Sequence, residues 1–141
     1  MMPHITMFTY SELFQLQNLP EGKGQRLNII NPILVIIPEF LPTTYSFSVT
    51  FGILGVKMEV PHELKITFWG PDEEVIFDSG NLNIQFPIPE NKKGLPEDMR
   101  GPVISMDIRN AALEEEGEYF TKIFLDGEEM GKYPIKIKKA V

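Results

Sequence analysis

Apolar and polar residues alternate with a period of two along much of this 141-residue chain, a pattern typical of β-strands with one buried face. Prolines and glycines separate the alternating runs, as turns do between short strands, and no long helical period appears. The pattern therefore predicts an all-β fold, an antiparallel two-sheet β-sandwich in which the apolar rows line one core. The four clearest rows are Tyr45, Phe47, Val49 and Phe51; Leu64, Ile66 and Phe68; Leu82, Ile84 and Phe86; and Ile104, Met106 and Ile108.

The N-terminal part predicts a hairpin, with one strand from about Thr6 to Gln17, a second from about Gln25 to Ile37, and the turn-rich residues 18–24 between them. The alternative is a helical turn over residues 11–16, but this segment is too short to be a stable helix by itself. We favour the strand. Residues 33–37 form the most apolar run, far shorter than the ~20 residues of a membrane-spanning helix, and we expect a core strand there.

The C-terminal part carries the strongest local signal in the chain. Tyr119 to Leu125 leads into Asp126-Gly127, a pair that suits the positive φ angles of a type I′ turn, and Glu128 to Lys138 returns. Pro134 cannot donate to a ladder, so the returning strand is expected at a sheet edge or with a local break. The lysines of this strand then protect the edge from pairing with other chains, a role we prefer to a nucleic-acid site; they are Lys132, Lys136, Lys138 and Lys139.

Composition narrows the possible functions. The length favours one domain over residues 1–141, and the net charge of −7 opposes general binding of nucleic acid or of an anionic membrane. The absence of cysteine excludes disulfides, thiolate metal sites and cysteine nucleophiles. No basic start followed by an apolar stretch marks a signal peptide, so we expect a cytoplasmic protein.

Candidate chemistry is sparse, and we expect no enzyme, no cofactor and no metal. His4 and His62 lie in different segments without a carboxylate at metal-ligand spacing, and His62 is expected at an exposed strand entry. No glycine pattern of a nucleophile elbow surrounds a serine. The acidic groups at residues 72–74 and 114–118 offer oxygen ligands of the kind calcium uses, but solvated turn residues are the favoured interpretation.

Two resemblances support the fold. The segment Glu115 to Thr121 has the acidic-x-Gly-x-Tyr form that precedes the sixth strand of immunoglobulin-like sandwiches, in which the tyrosine hydroxyl bonds back to the backbone. Thr121 stands where such domains often have cysteine, whereas Trp69 falls on the polar phase of its strand and so departs from the core tryptophan of that fold. The run Gly117 to Ile135, with the N-terminal hairpin and Pro42 before Tyr45, resembles a family of uncharacterised bacterial β-sandwich proteins. This resemblance implies a sandwich and no activity.

The candidate contact surface consists of Trp69, Phe120 and Phe124, because the strands that carry them have large apolar residues on both phases. Either another part of the chain covers these rings or a protein partner does, and we favour a protein-interaction module, with self-association as one form of that interaction. The long segment 87–102, which has no clear period, is a second candidate surface. The alternative function is carbohydrate binding, with Trp69 as the stacking residue and Tyr45 or Tyr133 as neighbours.

Overall fold

The computed structural model describes residues 2–22 and 24–141, and over this part of the chain two β-sheets pack against each other around one core. The strands are β1 (His4–Asn18), β2 (Gln25–Pro32), β3 (Val35–Ile36), β4 (Thr43–Leu54), β5 (Pro61–Trp69), β6 (Val75–Asp78), β7 (Leu82–Gln85), β8 (Val103–Leu113), β9 (Gly117–Leu125) and β10 (Glu128–Ile137). The first sheet has the order β2-β1-β4-β8, and the second has β3-β10-β9-β5-β6 with β7 beside β5. Neighbouring strands run antiparallel except for β3 and β10. The all-β two-sheet sandwich expected from the alternation is confirmed.

The apolar rows of the alternating runs meet in the core, as the sequence predicts. Phe47 of the first sheet and Phe68 of the second touch edge to face, with ring centroids 5.0 Å apart. Full burial of a side chain of this size stabilises the fold by about 1.5–3 kcal/mol, so the rows determine which face of each strand points inward. The margin of the core is formed by side chains that are only partly buried, among them Tyr45, Leu82, Ile84, Ile104 and Met106.

The N-terminal hairpin forms as expected, and the helical turn considered for residues 11–16 is replaced by strand. β1 pairs with β4 over residues 4–11 and with β2 over residues 11–18. The connection includes a short 3-10 turn, Pro20–Gly22, while Lys23 of the expected turn lies outside the described residues. Within the described residues, the outer half of the hairpin thus has no further strand paired to its β1 side.

This outer half reaches across the first sheet. Phe14 and Leu16 line a groove together with Val103 of β8, although β4 lies between β1 and β8 in the sheet order. The side chains of Ser48 and Thr50, on the outward phase of β4, are fully buried. The hairpin therefore leaves the sheet after Ser11 and bridges over β4 towards β8.

The expected core strand over residues 33–37 is confirmed only at β3 (Val35–Ile36), where Ile36 enters the core. β2 ends at Pro32, one residue after Asn31, whose φ is 54°, and the chain then crosses from the first sheet to the second. Only Ile36 is buried, whereas Leu34 is 90% and Ile37 63% exposed. A segment that crosses between two sheets presents one side to the core, so an unbroken apolar run here leaves large side chains in solvent.

The predicted turn of the C-terminal hairpin and the predicted edge position of its second strand are confirmed. Asp126 and Gly127 have φ angles of 49° and 84°, as a type I′ turn requires. β3 pairs with β10 only at Lys136 and Ile137, so Pro134 lies in a stretch of β10 that has β9 as its one strand partner among the described residues. The register also shifts between Glu129 and Gly131, but Pro134 itself lies within the regular register, opposite Phe120, so the edge position and not a local break accommodates it.

The bond expected from the Tyr119 hydroxyl back to the backbone, known as a tyrosine corner, is present. The hydroxyl of Tyr119 donates a hydrogen bond of 2.6 Å to the carbonyl of Glu115, and the Tyr119 side chain is fully buried. Trp69 lies outside the core, as its phase in the sequence indicated. Both features are local consequences of strand phase, which explains why the sequence anticipates them.

The segment between β7 and β8 is tied to the sheet. It contains two 3-10 turns, Glu90–Lys92 and Glu97–Met99, and its end bonds to β4 and the residue after it. The amide of Gly55 donates to the carbonyl of Arg100 at 2.9 Å, and the amide of Ile53 donates to that of Pro102 at 3.1 Å. No helix within residues 2–22 and 24–141 has the length and apolar character needed to cross a bilayer.

Candidate interaction surfaces

The aromatic residues selected from the sequence lie together on the outer face of the second sheet. Trp69 of β5 is the register partner of Phe120 of β9, and their rings stack with centroids 5.9 Å apart. Phe124 lies on the same face of β9, four residues after Phe120, and is the register partner of Lys65. The tertiary structure therefore brings the three predicted residues onto one surface.

These rings are covered by lysines of neighbouring strands. The ammonium of Lys122 lies 4.8 Å from the Trp69 ring, that of Lys132 lies 4.1 Å from the Phe120 ring, and that of Lys65 lies 5.3 Å from the Phe124 ring. Such contacts contribute about 0.5–1 kcal/mol each at exposed sites, and the lysine stems shield the ring faces from water. Phe120 is only 7% exposed. Trp69 and Phe124 are half-buried. Of the two alternatives, coverage by the chain itself therefore applies to Phe120, whereas a partner contact at Trp69 and Phe124 stays a prediction.

The proposed neighbours of a sugar-stacking tryptophan lie elsewhere. Tyr133 stacks on Phe8 with ring centroids 4.2 Å apart. Tyr45 packs beside Phe47 on the inner side of the first sheet. Within the described residues, Trp69 stacks on Phe120 and makes no ring contact with either tyrosine, so the neighbours predicted for it are not brought together, while sugar binding by Trp69 itself stays a prediction.

His62 is held in a clasp between two loops, and the expectation of a solvent-exposed side chain is wrong. Its Nδ1 lies 2.7 Å from a carboxylate oxygen of Asp126, its Nε2 lies 2.6 Å from the carbonyl of Lys57, and its side chain is 10% exposed. Partial burial lowers the pKa of His62, but the bonds to Asp126 and Lys57 outweigh this effect and the net pKa is raised. The bond to His62 and the amide of Glu63 lower the pKa of Asp126. Both ring nitrogens face acceptors, so the clasp is satisfied by the doubly protonated imidazolium.

The two acidic groups of the sequence meet at one end of the sandwich. The hydrogen bond between the side chains of Glu115 and Asp72, together with the charge of Asp72, raises the pKa of Glu115, and Glu74 and Glu114 add to this effect. Glu115 is exposed to solvent. Within the described residues, no group of three or more histidine, aspartate or glutamate side chains has the geometry to hold a metal ion.

An apolar groove of about 630 Å³ runs between the hairpin, the start of β8 and segment 87–102. Its rim includes Leu16, 59% exposed, and Val103, 56% exposed. This volume is within the range of ligand and peptide sites, which are mostly apolar with a few polar groups. The groove also gives segment 87–102 a place in a surface, as its sequence suggested. Its wall is formed by Phe14, Leu16, Leu27, Met58, Ile84, Phe86, Pro87, Pro89, Pro102, Val103 and Ile104, with Gln25, Lys92 and Ser105 as polar members.

β2 lies beside this groove and forms an open edge of the first sheet. Its one strand neighbour within the described residues is β1. Apart from the pairing with β1, no backbone hydrogen bond joins residues 25–31 to any other described part of the chain. The sequence analysis did not select this edge. The feature of the sequence that could have indicated this edge is the run Leu27 to Ile30. It carries apolar side chains on both faces of the strand and contains neither a lysine nor a proline that would protect the edge.

Comparison with known proteins places the chain in a family. A family model described as a family of unknown function, DUF6941, matches residues 18–138. The chain belongs to this family. A comparison with curated proteins finds no match for this DUF6941 chain.

Solved structures resemble the DUF6941 chain at the level of the fold. An immunoglobulin-like protein (PA1606) from Pseudomonas aeruginosa has a TM-score of 0.45 and 15% identity, with 98% of each chain covered. The C-terminal domain of Wzt has a TM-score of 0.49 and 8% identity, over 99% of this chain and 75% of that one. The alkylpurine DNA glycosylase AlkC from Pseudomonas fluorescens has a TM-score of 0.46 and 8% identity, over 93% of this chain, which spans 30% of AlkC. The two-sheet sandwich and the bond from Tyr119 to Glu115 agree with the immunoglobulin-like architecture expected from the sequence.

Proposed function

We propose that this DUF6941 domain is a non-catalytic interaction module that binds another polypeptide along the open edge of β2. The observation that carries the proposal is an unprotected edge strand directly beside an apolar groove. In binding by strand addition, main-chain hydrogen bonds supply affinity, and pockets for alternate side chains supply specificity. The edge and the groove offer these two components side by side.

The ladder pattern identifies the free groups of the edge. The amide of Leu19 donates to the carbonyl of Gly24 at 2.8 Å, and in an antiparallel pair such exchanges recur every second residue. Arg26 and the alternate residues after it therefore bond to β1, and the amides and carbonyls of Leu27 and Ile29 point outward. Leu27 lines the groove, so an added strand would place its own side chains beside that wall.

The contrast with β10 supports a binding role for β2. Natural sheets protect their edges with lysine, proline or a bulge, and β10 has all three, in Lys132, Pro134 and the register shift after Glu129. β2 has a continuous register with β1, and Arg26 is its only charged residue. An edge left open in a chain that protects another is expected to have a partner.

The state of His62 supports a non-catalytic function. Its two ring nitrogens are both used, by Asp126 and by the carbonyl of Lys57. General-base catalysis needs a nitrogen within hydrogen-bond reach of the group that loses a proton. The histidine that has a carboxylate partner is therefore occupied by structural bonds.

The test is capture by variants that differ in one outward amide. The chain is immobilised and exposed to an extract of the cells that produce it, with Ile29→Pro, Ile29→Ala and wild type compared, and each captured protein is purified and rebound. Ile29→Pro removes the outward amide and the side chain, whereas Ile29→Ala removes the side chain alone. We expect binding to be lost in Ile29→Pro and weakened in Ile29→Ala, with thermal unfolding showing that both variants fold.

Equal capture by wild type and Ile29→Pro would exclude the edge as the binding surface. If Ile29→Pro does not fold, amide hydrogen exchange of the wild type gives the answer. The amides of Leu27 and Ile29 are expected to exchange rapidly in the free chain and to become protected when the partner is added. Unchanged exchange on partner binding would overturn the proposal.

A further inference from the structure

We infer that the polypeptide bound at the β2 edge is a second copy of this chain, joined by antiparallel pairing of the two β2 strands about a two-fold axis at Asn28. The inference rests on the proposed function, since it names the occupant of the same edge. In this arrangement Leu27 lies opposite Ile29 of the second copy, and Asn28 lies opposite the second copy's Asn28. The outer halves of the two β1-β2 hairpins then form one four-stranded antiparallel ribbon.

The free backbone groups restrict the pairing to a few registers. Because the amides and carbonyls of Leu27 and Ile29 point outward, hydrogen-bonded pairs must join these residues to their counterparts. Asn31, with φ of 54°, ends the regular strand on one side. The register centred on Asn28 lets Leu27 and Ile29 of each copy exchange all four of their outward amide and carbonyl bonds.

Side-chain pairing favours the same register. Leu27 and Ile29 share the face that borders the groove, so the Asn28 centre places apolar residues opposite each other there, and such cross-strand pairs contribute roughly 0.2–1 kcal/mol each. On the other face, the stem of Arg26 covers the second copy's Ile30, which is 36% exposed in the single chain. A register centred on Leu27 would instead place Gln25 of one copy opposite Ile29 of the other. A register centred on Arg26 would place the two positively charged guanidinium groups opposite each other.

The charge distribution permits this contact in a chain with a net charge of −7. β2 contains no acidic residue, and its one charged residue, Arg26, lies in this register with its Cα roughly 13 Å from that of its counterpart, so the two guanidinium groups do not face each other. The remaining repulsion is long-range and is screened over about 8 Å at physiological ionic strength. The dimer is therefore expected to strengthen as salt is raised.

A single introduced cysteine tests the register, because the chain has no cysteine of its own. Residues that face each other in a non-hydrogen-bonded antiparallel pair have Cα atoms about 4.5 Å apart, within the range that a disulfide spans. Asn28→Cys is therefore expected to form a reducible covalent dimer under mild oxidation. Arg26→Cys is the matched control, since its two copies lie four residues out of register, roughly 13 Å apart, and should stay unlinked.

Light scattering of the wild type accompanies the cross-linking. The expected mass is twice 16.1 kDa at high protein concentration, with a larger dimer fraction at high salt and none in Ile29→Pro. A wild type that stays monomeric, with Asn28→Cys linking no more than Arg26→Cys, overturns the second copy as occupant. A dimer in which Arg26→Cys links and Asn28→Cys does not overturns the register and with it the inference.

These results separate the inference from the proposed function. Monomeric behaviour combined with capture of a different polypeptide that Ile29→Pro abolishes leaves the edge as a binding surface and removes self-pairing alone. If the chain is monomeric and the captured polypeptide binds Ile29→Pro as well as it binds the wild type, both the inference and the proposed function are excluded.

Discussion

The hydroxyl of Tyr10 in β1 lies 2.8 Å from the hydroxyl of Thr121 in β9, so that a buried polar contact joins the two sheets. Tyr10 also donates to the carbonyl of Tyr133 at 2.6 Å, which commits its proton and leaves Thr121 as the donor between the two hydroxyls. Burial raises the pKa of Tyr10 well above its ordinary value. Thr121 occupies the position where immunoglobulin-like domains often have cysteine, and in this cysteine-free chain a hydrogen bond links the sheets there.

Tyr10→Phe is expected to lower the free energy of unfolding by about 1–3 kcal/mol, since it leaves the carbonyl of Tyr133 and the hydroxyl of Thr121 without this partner. Thr121→Val should cost less, because Tyr10 keeps its bond to Tyr133. Urea unfolding of both variants measures the difference. Equal stability of Tyr10→Phe and wild type would show that the contact contributes nothing.

Phe120→Ala is expected to destabilise the fold by about 3 kcal/mol, at the lower end of the range for buried phenylalanine. The ring is buried beneath Trp69 and Lys132, so its removal leaves a cavity instead of exposing a contact surface. Phe124→Ala, at a half-buried position, should cost about 1 kcal/mol. Thermal unfolding gives the stabilities, and light scattering should show the same oligomeric state in both variants and wild type. A change of mass without loss of stability would restore this face as an interface.

Gly101→Ala should detach segment 87–102 from the sheet. A Cβ at Gly101 would overlap the backbone carbonyl of Ile53, and overpacking of this kind costs about 1–3 kcal/mol or more. Gly94→Ala in the same segment is the control, because no atom lies within 4 Å of its Cβ position, and its effect should stay within about 0.5 kcal/mol. Limited proteolysis should cleave the segment faster in Gly101→Ala alone. Similar cleavage of both variants would contradict the packing.

The His62 clasp predicts a loss of stability at alkaline pH. The folded pKa of His62 is raised, so its contribution is complete below the unfolded value of about 6.5 and is lost as the pH rises through the folded pKa. The pKa of Asp126 is lowered, so its contribution is present above about 3.9 and is lost on acidification. Because Asp126 is 51% exposed, the clasp should contribute no more than about 1 kcal/mol.

The difference in unfolding free energy between wild type and His62→Gln measures this contribution. It should be largest between about pH 4 and 6.5 and should decline as the pH rises from there through the raised folded pKa of His62. A difference that stays constant from pH 5 to 9 would show that the protonation of His62 does not matter for stability.

The sequence by itself determined the strand phases and the turns. Alternation assigned Phe47 and Phe68 to the core because a strand with one buried face must repeat every two residues. Asp126-Gly127 determined its turn because few residues accept two consecutive positive φ angles. The Tyr119 corner was also readable, since the hydroxyl and its acceptor are four positions apart in the chain.

Tertiary structure alone decided which outward surfaces are covered. Phe120 and Leu34 are both apolar side chains in β-rich segments, yet lysines from neighbouring strands cover the first while the crossing between sheets exposes the second. The meeting of His62 with Asp126 depends in the same way on strand order. Which side chains of a strand share a face depends on the backbone geometry between neighbouring residues. Which outward surfaces are covered, and which strands lie at an edge, depends on how distant strands pair. The period-two pattern carries no information about that pairing.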